Sequence, residues 1–94
     1  MVKEIILNNT RINVHRFEHR KVDDLHEISV GFEVTSERYH DIATLLYEGT
    51  FDVQVPEEAL TFKGTIRQYS TSISNLYEEG QVGDYSLTLL EVKH

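Results

Sequence analysis

The sequence predicts a mostly β protein of the α+β class, with six or seven mainly antiparallel strands in a curled sheet or open barrel and one amphipathic helix, about 36–48, packed on it. Three observations carry this reading. Apolar and polar residues alternate through most of the chain, the period of a sheet with one wet face. In one central stretch the apolar spacing changes to three and four, the period of a helix. Asn-Asn, Gly and Pro-Glu-Glu punctuate the boundaries between these stretches.

Taken in order, Lys3 to Leu7 suits an opening strand, and Asn8-Asn9 tolerates the positive φ of a tight hairpin turn. The next run sets Ile12 and Val14 against Arg11, Asn13 and His15. Phe17 falls on the wrong parity, and a bulge near His15 or Arg16, or an end to regular pairing there, returns it to the core face. The clearest strand follows: Ile28, Val30, Phe32 and Val34 point one way, Ser29, Gly31, Glu33 and Thr35 the other. A slip of one residue would expose that whole apolar set, so its register is firm.

In SERYHDIATLLYEG the stripe is Tyr39, Ile42, Ala43 and Leu46, with Ser36 as the N-cap, Glu37 favourable to the helix dipole and Gly49 supplying the left-handed exit. Strand patterns resume with Phe51, Val53 and Val55, and Pro56 ends the run before Glu57-Glu58. Leu60, Phe62, Gly64 and Ile66 are then in phase, so Gly64 stands where a side chain would point inward; a bulky neighbour fills that space or the strand kinks. Tyr69, Thr71 and Ile73 share one parity and Gln68, Ser70, Ser72 and Ser74 the other, and Gly80 and Gly83 mark turns. The last strand carries Tyr85, Leu87 and Leu89 in phase and then Leu90 and Val92 out of phase, which a bulge at Leu89-Leu90 or burial on both faces explains.

Ninety-four residues make a single domain, 1–94, and an apolar fraction of 39% is enough for one core. Sixteen acidic residues against nine basic give a net charge of −7, a field that repels phosphate backbones, so nucleic acid is not expected as a partner. The basic cluster of Arg16, His19, Arg20 and Lys21 is largely cancelled by Glu18, Asp23, Asp24 and Glu27 and reads as a solvated strand end or loop. There is no cysteine, hence no disulfide, thiolate metal site or Cys nucleophile. With no signal-peptide core and no membrane-length apolar run, the expectation is a cytoplasmic protein that does not engage the membrane.

The candidate chemical sites are few. The Ser/Thr run Ser70, Thr71, Ser72 and Ser74 adjoins no glycine, so it lacks a nucleophile elbow and a phosphate cradle and reads as strand. His15 and His19 share parity and, with Asp23, Asp24 or His26, are the candidate metal ligands, although no Cys or HExxH pattern supports them and no cofactor is assigned. Asp23-Asp24 lacks the ligand pattern of a calcium loop. His40 and Asp41 are helical neighbours that point about 100° apart, and Glu57-Glu58 and Glu78-Glu79 read as solvated turns. Tyr69, Thr71, Ile73 and Tyr77 are the candidate partner surface, a polar alternating strand whose edge can accept another chain.

An opening KEIILN strand, the VTSERYHDIATLLYEG helix, FKGTI and YSTSISNLYEEGQVGDYSLTLLEV together resemble the YkvR-like family of small uncharacterised proteins from spore-forming Gram-positive bacteria, a domain of unknown function. The resemblance spans nearly the whole chain; it implies a mostly β fold and an intracellular bacterial origin and carries no site residues. The C-terminal half also resembles small, acidic, cysteine-free β-rich structural proteins of phage tails. The expectation is therefore a non-catalytic interaction or structural module, not an enzyme, with a possible protein partner or self-association through a strand edge. The alternatives are a small-molecule binder with a pocket between helix and sheet near Gly64, or a phage-derived structural component.

Overall fold

A computed structural model describes residues 2–72 and 82–92. Its elements run β1 (Glu4–Leu7), β2 (Thr10–Asn13), β3 (Arg16–Val22), β4 (Leu25–Thr35), α1 (Tyr39–Leu46), β5 (Thr50–Val55), a 3-10 turn (Pro56–Glu58), β6 (Leu60–Ser72) and β7 (Val82–Glu91). All pairings are antiparallel, in one seven-stranded sheet of order β2-β1-β5-β6-β7-β4-β3. The expected class, strand number and single helix are what the chain forms.

The hairpin turns follow from short polar residues that tolerate left-handed backbone. Asn8 and Asn9 sit at φ 49° and 71° between β1 and β2, and Asp23 and Asp24 at φ 53° and 67° between β3 and β4. The sequence reading caught the first pair and passed over the second.

The two edge strands are consecutive in the chain, separated only by Val14 and His15. The Val14 N–H still donates to the Lys3 carbonyl (2.8 Å) beside β1, while the His15 N–H donates to the Gly31 carbonyl (2.9 Å) of β4. The chain thus leaves one end of the sheet and joins the other within one residue, and the sheet must roll. This break in pairing is what returns Phe17 to the core side, opposite Val30.

The concave face of the roll holds the core. Ile5, Leu7, Ile28, Val30, Phe32, Phe51, Val53, Val55, Tyr85, Leu87 and Leu89 are all almost fully buried. On α1, Ile42 and Leu46 are buried, with Tyr39 and Leu45 packed against the cluster, as the three-and-four spacing requires. The helix is shorter than expected at its start. Thr35 to Arg38 forms a turn, with Arg38 N–H donating to the Thr35 carbonyl (3.1 Å), so the cap position falls on Arg38 and not on Ser36. At the other end Gly49 has φ 77°, the left-handed exit.

β6 contains a bulge. Ile66 faces Leu89 and Gln68 faces Thr88, leaving Arg67 as the extra residue. Upstream of it Phe62, Gly64 and Ile66 take the core face; downstream Tyr69 and Thr71 take it, opposite Leu87 and Tyr85. β7, by contrast, runs unbroken through Leu89-Leu90, and Leu90 is half-buried on the convex face beside Glu27. Burial on both faces, not a bulge in β7, accounts for that change of phase.

Gly64 is buried, and the described residues around it leave no room for a side chain. A Cβ at this position would meet Phe62 Cε2 at 2.9 Å and Val53 Cγ2 at 3.3 Å, so the Phe62 ring occupies the space a side chain would claim. Of the two expectations for Gly64, a bulky neighbour or a kink, the bulky neighbour is what the structure has. A Gly64→Ala substitution should destabilise the protein by about 1–3 kcal/mol through overpacking, read as a lower midpoint in urea with an unchanged slope.

Candidate functional site

Among the lengths of strand that present unpaired backbone in the described residues, three differ in how they are guarded. β2 is only four residues long. β3 is longer but carries Arg16, Glu18, Arg20 and Lys21, charges that resist pairing with another chain. The third stretch belongs to β6. Its ladder with β5 runs from Val55–Leu60 to Thr50–Thr65, after which the Gly49 carbonyl accepts from the Ile66 N–H (2.9 Å) and the Thr65 hydroxyl (3.0 Å). α1 precedes β5, so β5 has no residues left to offer. From Gln68 to Ser72 the strand pairs with β7 on one side, and among the described residues no backbone partner lies on the other. Past Arg67 this stretch reads Gln-Tyr-Ser-Thr-Ser, without charge or proline.

Of the residues expected to form a partner surface, Tyr69 and Thr71 lie on this edge, both exposed, with Tyr69 at 46%. Ile73 and Tyr77 lie outside the described residues. Tyr69 leans edge-on against Tyr85, with ring centroids 5.7 Å apart and planes at 75°. Burial pushes the Tyr85 phenol well above its ordinary range, with smaller contributions from Tyr69, which is hydrogen-bonded to it, and from Tyr39. The free edge is thus backed on its concave side by a phenol held neutral.

The convex side of the same region is organised by Glu27, a carboxylate with only 2% of its surface exposed and on the face away from the apolar core. Its Oε1 accepts from Arg20 Nε of β3 (2.6 Å) and its Oε2 from Arg67 Nη1, the bulge residue of β6 (3.1 Å). The pair of arginines spans four adjacent strands. Between them the surface is built from small polar residues: Ser29 Oγ and Thr88 Oγ1 lie 3.0 Å apart, and Arg16 Nη2 donates to Ser86 Oγ (3.2 Å) while its side chain lies over Gly31. Arg67 is therefore a bulge residue with a fixed partner. Sequence reasoning missed Glu27; the signal was a charged residue directly preceding a strict alternation of apolar residues.

The candidate metal ligands separate. His15 Nε2 stands 3.7 Å from Asp84 Oδ1, whereas His19 Nε2 meets Nδ1 of His26 at 2.9 Å across the β3–β4 ladder. Among the described residues no group of three His, Asp or Glu side chains forms a cation cage. His40 is exposed on α1, as expected.

Two outcomes follow from this arrangement. Because the folded protein retains the Tyr85 proton above the ordinary phenol value of 10.0, the unfolded chain ionises first. Stability is full below that pH and falls as pH rises past it, by about 1.4 kcal/mol per pH unit from this group, and Tyr85→Phe should flatten the alkaline limb of a stability-versus-pH curve. Glu27→Gln keeps the shape but removes the charge between two arginines; a loss of about 1–3 kcal/mol in denaturant unfolding is expected, with the largest rise in amide exchange at Arg20 and Arg67.

Compared with known proteins, residues 4–94 match the family model described as a protein of unknown function, DUF3219. An uncharacterised protein of Bacillus subtilis strain 168, YkvR, is 42% identical over 91 residues, which span 97% of this chain and 94% of that protein. The NMR solution structure of YkvR superposes with a TM-score of 0.64 at 43% identity, covering 99% of this chain and 88% of the other.

Proposed function

This chain belongs to the DUF3219 family of proteins of unknown function, and on that footing we propose that it is a non-catalytic interaction module of the bacterial cytoplasm that pairs with a second copy of itself along the free edge of β6. The observation that carries the proposal is the contrast between edges. β3 is guarded by several charges and the four-residue β2 carries Arg11, whereas Gln68 to Ser72 carries no charge and, among the described residues, has no backbone partner on its outer side.

Main-chain hydrogen bonds supply the attraction in such strand addition, and side chains on alternate positions supply selectivity. Here Tyr69 offers a large, rigid anchor on one face, while Gln68 and Ser70 offer hydrogen-bonding groups on the other. A net charge of −7 opposes association of like chains. Gln68 to Ser72 itself adds no charge to that opposition, and the neighbouring Arg67 is already paired with Glu27. A symmetric antiparallel pairing repeats one patch on both partners, the arrangement a two-fold dimer requires. The absence of cysteine fits a reducing compartment and supports the cytoplasmic assignment. No helix among the described residues is long and apolar enough to cross a membrane.

Light scattering coupled to gel filtration at physiological salt, over a wide concentration range, should show a monomer–dimer equilibrium. Ser70→Lys places a charge on the convex face of the edge, opposite Ser86 and away from the core, and should leave only monomer, with the thermal transition unchanged at low concentration. A wild-type chain that stays monomeric at every concentration, or a dimer that survives the lysine, would overturn the proposal.

A further inference from the structure

We infer that His19 and His26 form a two-donor site for a divalent transition-metal ion at the open end of the rolled sheet. The residues come from neighbouring strands and are offset along the ladder, since His19 faces Ile28 while His26 faces Lys21. Both lie on the core side of the sheet, yet His19 is exposed and His26 half-buried, so their meeting point is reachable from solvent.

The distances favour the assignment. His19 Nε2 and His26 Nδ1 are 2.9 Å apart, with ring centroids 5.1 Å apart and planes inclined by 28°. In the metal-free protein one of these nitrogens carries a proton and the other accepts it. Removing that proton and turning one ring leaves two neutral donors that can aim at a common ion. Metal–imidazole bonds of about 2.0–2.1 Å at a right angle span about 2.9 Å, so two imidazoles already this near need only a turn of the His19 ring to serve as neighbouring ligands of one ion. A tetrahedral ion asks for a wider gap, roughly 3.4 Å. By the general affinity order of imidazole sites, copper(II) is preferred over nickel(II), with zinc(II) accommodated by a small opening of the pair.

One donor is held and the other is free to turn. The His26 ring packs against Phe62, with centroids 5.7 Å apart and planes at 27°, and the His26 main-chain N–H donates to a Glu91 carboxylate oxygen at 2.9 Å. The exposed His19 ring rotates to aim its lone pair at the ion. Among the described residues no third side-chain ligand closes the site, so the remaining positions take water or a donor atom from a bound molecule. Lys21, opposite His26, disfavours a second cation and favours an anionic co-ligand.

The test uses the untagged chain and the metal ions alone. Calorimetric titration with copper(II), and zinc(II) titration followed on the imidazole resonances, should give one ion per chain, with shifts at His19 and His26. His19→Gln and His26→Gln should each weaken binding by at least about tenfold, while His15→Gln and His40→Gln leave it unchanged. Affinity should fall in acid as protons reclaim the nitrogens. Imidazole signals of His19 and His26 that do not move with zinc, or equal weakening by His15→Gln or His40→Gln, would overturn the inference. Because His19 is exposed, its variant tests the site even if His26→Gln perturbs packing at Phe62.

Discussion

Everything in this fold depends on the transfer of one strand between the two ends of the sheet at Val14 and His15. Two consecutive amide groups bond in different directions, one to Lys3 beside β1 and the next to Gly31 of β4. Because β2 and β3 are the first and last members of the strand order, that transfer forces the intervening strands to curve, and the curvature creates an interior. A flat sheet of the same strands would leave its apolar face open to water or to another molecule. α1 then covers the part of the interior that curvature alone leaves open, through Ile42 and Leu46.

The same curvature sets what the exterior can be. The centre of the convex face is made of Ser29, Gly31, Ser86 and Thr88, residues too small to cover their own backbone. Arg16 lies across Gly31, and Arg20 and Arg67 converge on Glu27, so that long side chains from flanking strands roof the middle of the sheet. The buried carboxylate is matched by cations whose outer ends remain in water, which lowers the cost of burial relative to an ion pair sealed in a core. It also ties β3, which pairs with only one strand, to a strand that is central to the sheet.

How much of this was legible in the sequence varied with the range of the interaction. Alternation in Ile28 to Val34, the three-and-four spacing of Ile42 and Leu46, and the turn chemistry of Asn8-Asn9 and Gly49 are local, and the structure follows them. The helix start was misplaced because Ser36 has the chemistry of a cap, while the turn that closes on Thr35 is a tertiary choice. Phe17 and Leu90 each broke an alternation, and the sequence showed that something happened there without showing what. For Phe17 the cause was a change of ladder, for Leu90 a neighbour on the convex face. The meeting of His19 with His26, and not with His15, depends on ladder offset, as does the convergence of Arg20 and Arg67 on Glu27 from residues 7 and 40 positions away.

The bulge at Arg67 has a consequence for how such a chain can change over evolutionary time. One extra residue reverses which parity of β6 faces inward, so the stretch before it and the stretch after it obey opposite hydrophobic codes. Deleting a residue within the strand would move the Tyr69–Thr71 segment to the other side of the sheet while Phe62 and Ile66 kept their places. The strand is therefore composed of two modules that can be rewritten separately: an inner one constrained by the core, and an outer one whose lettering is free to drift toward whatever surface it meets.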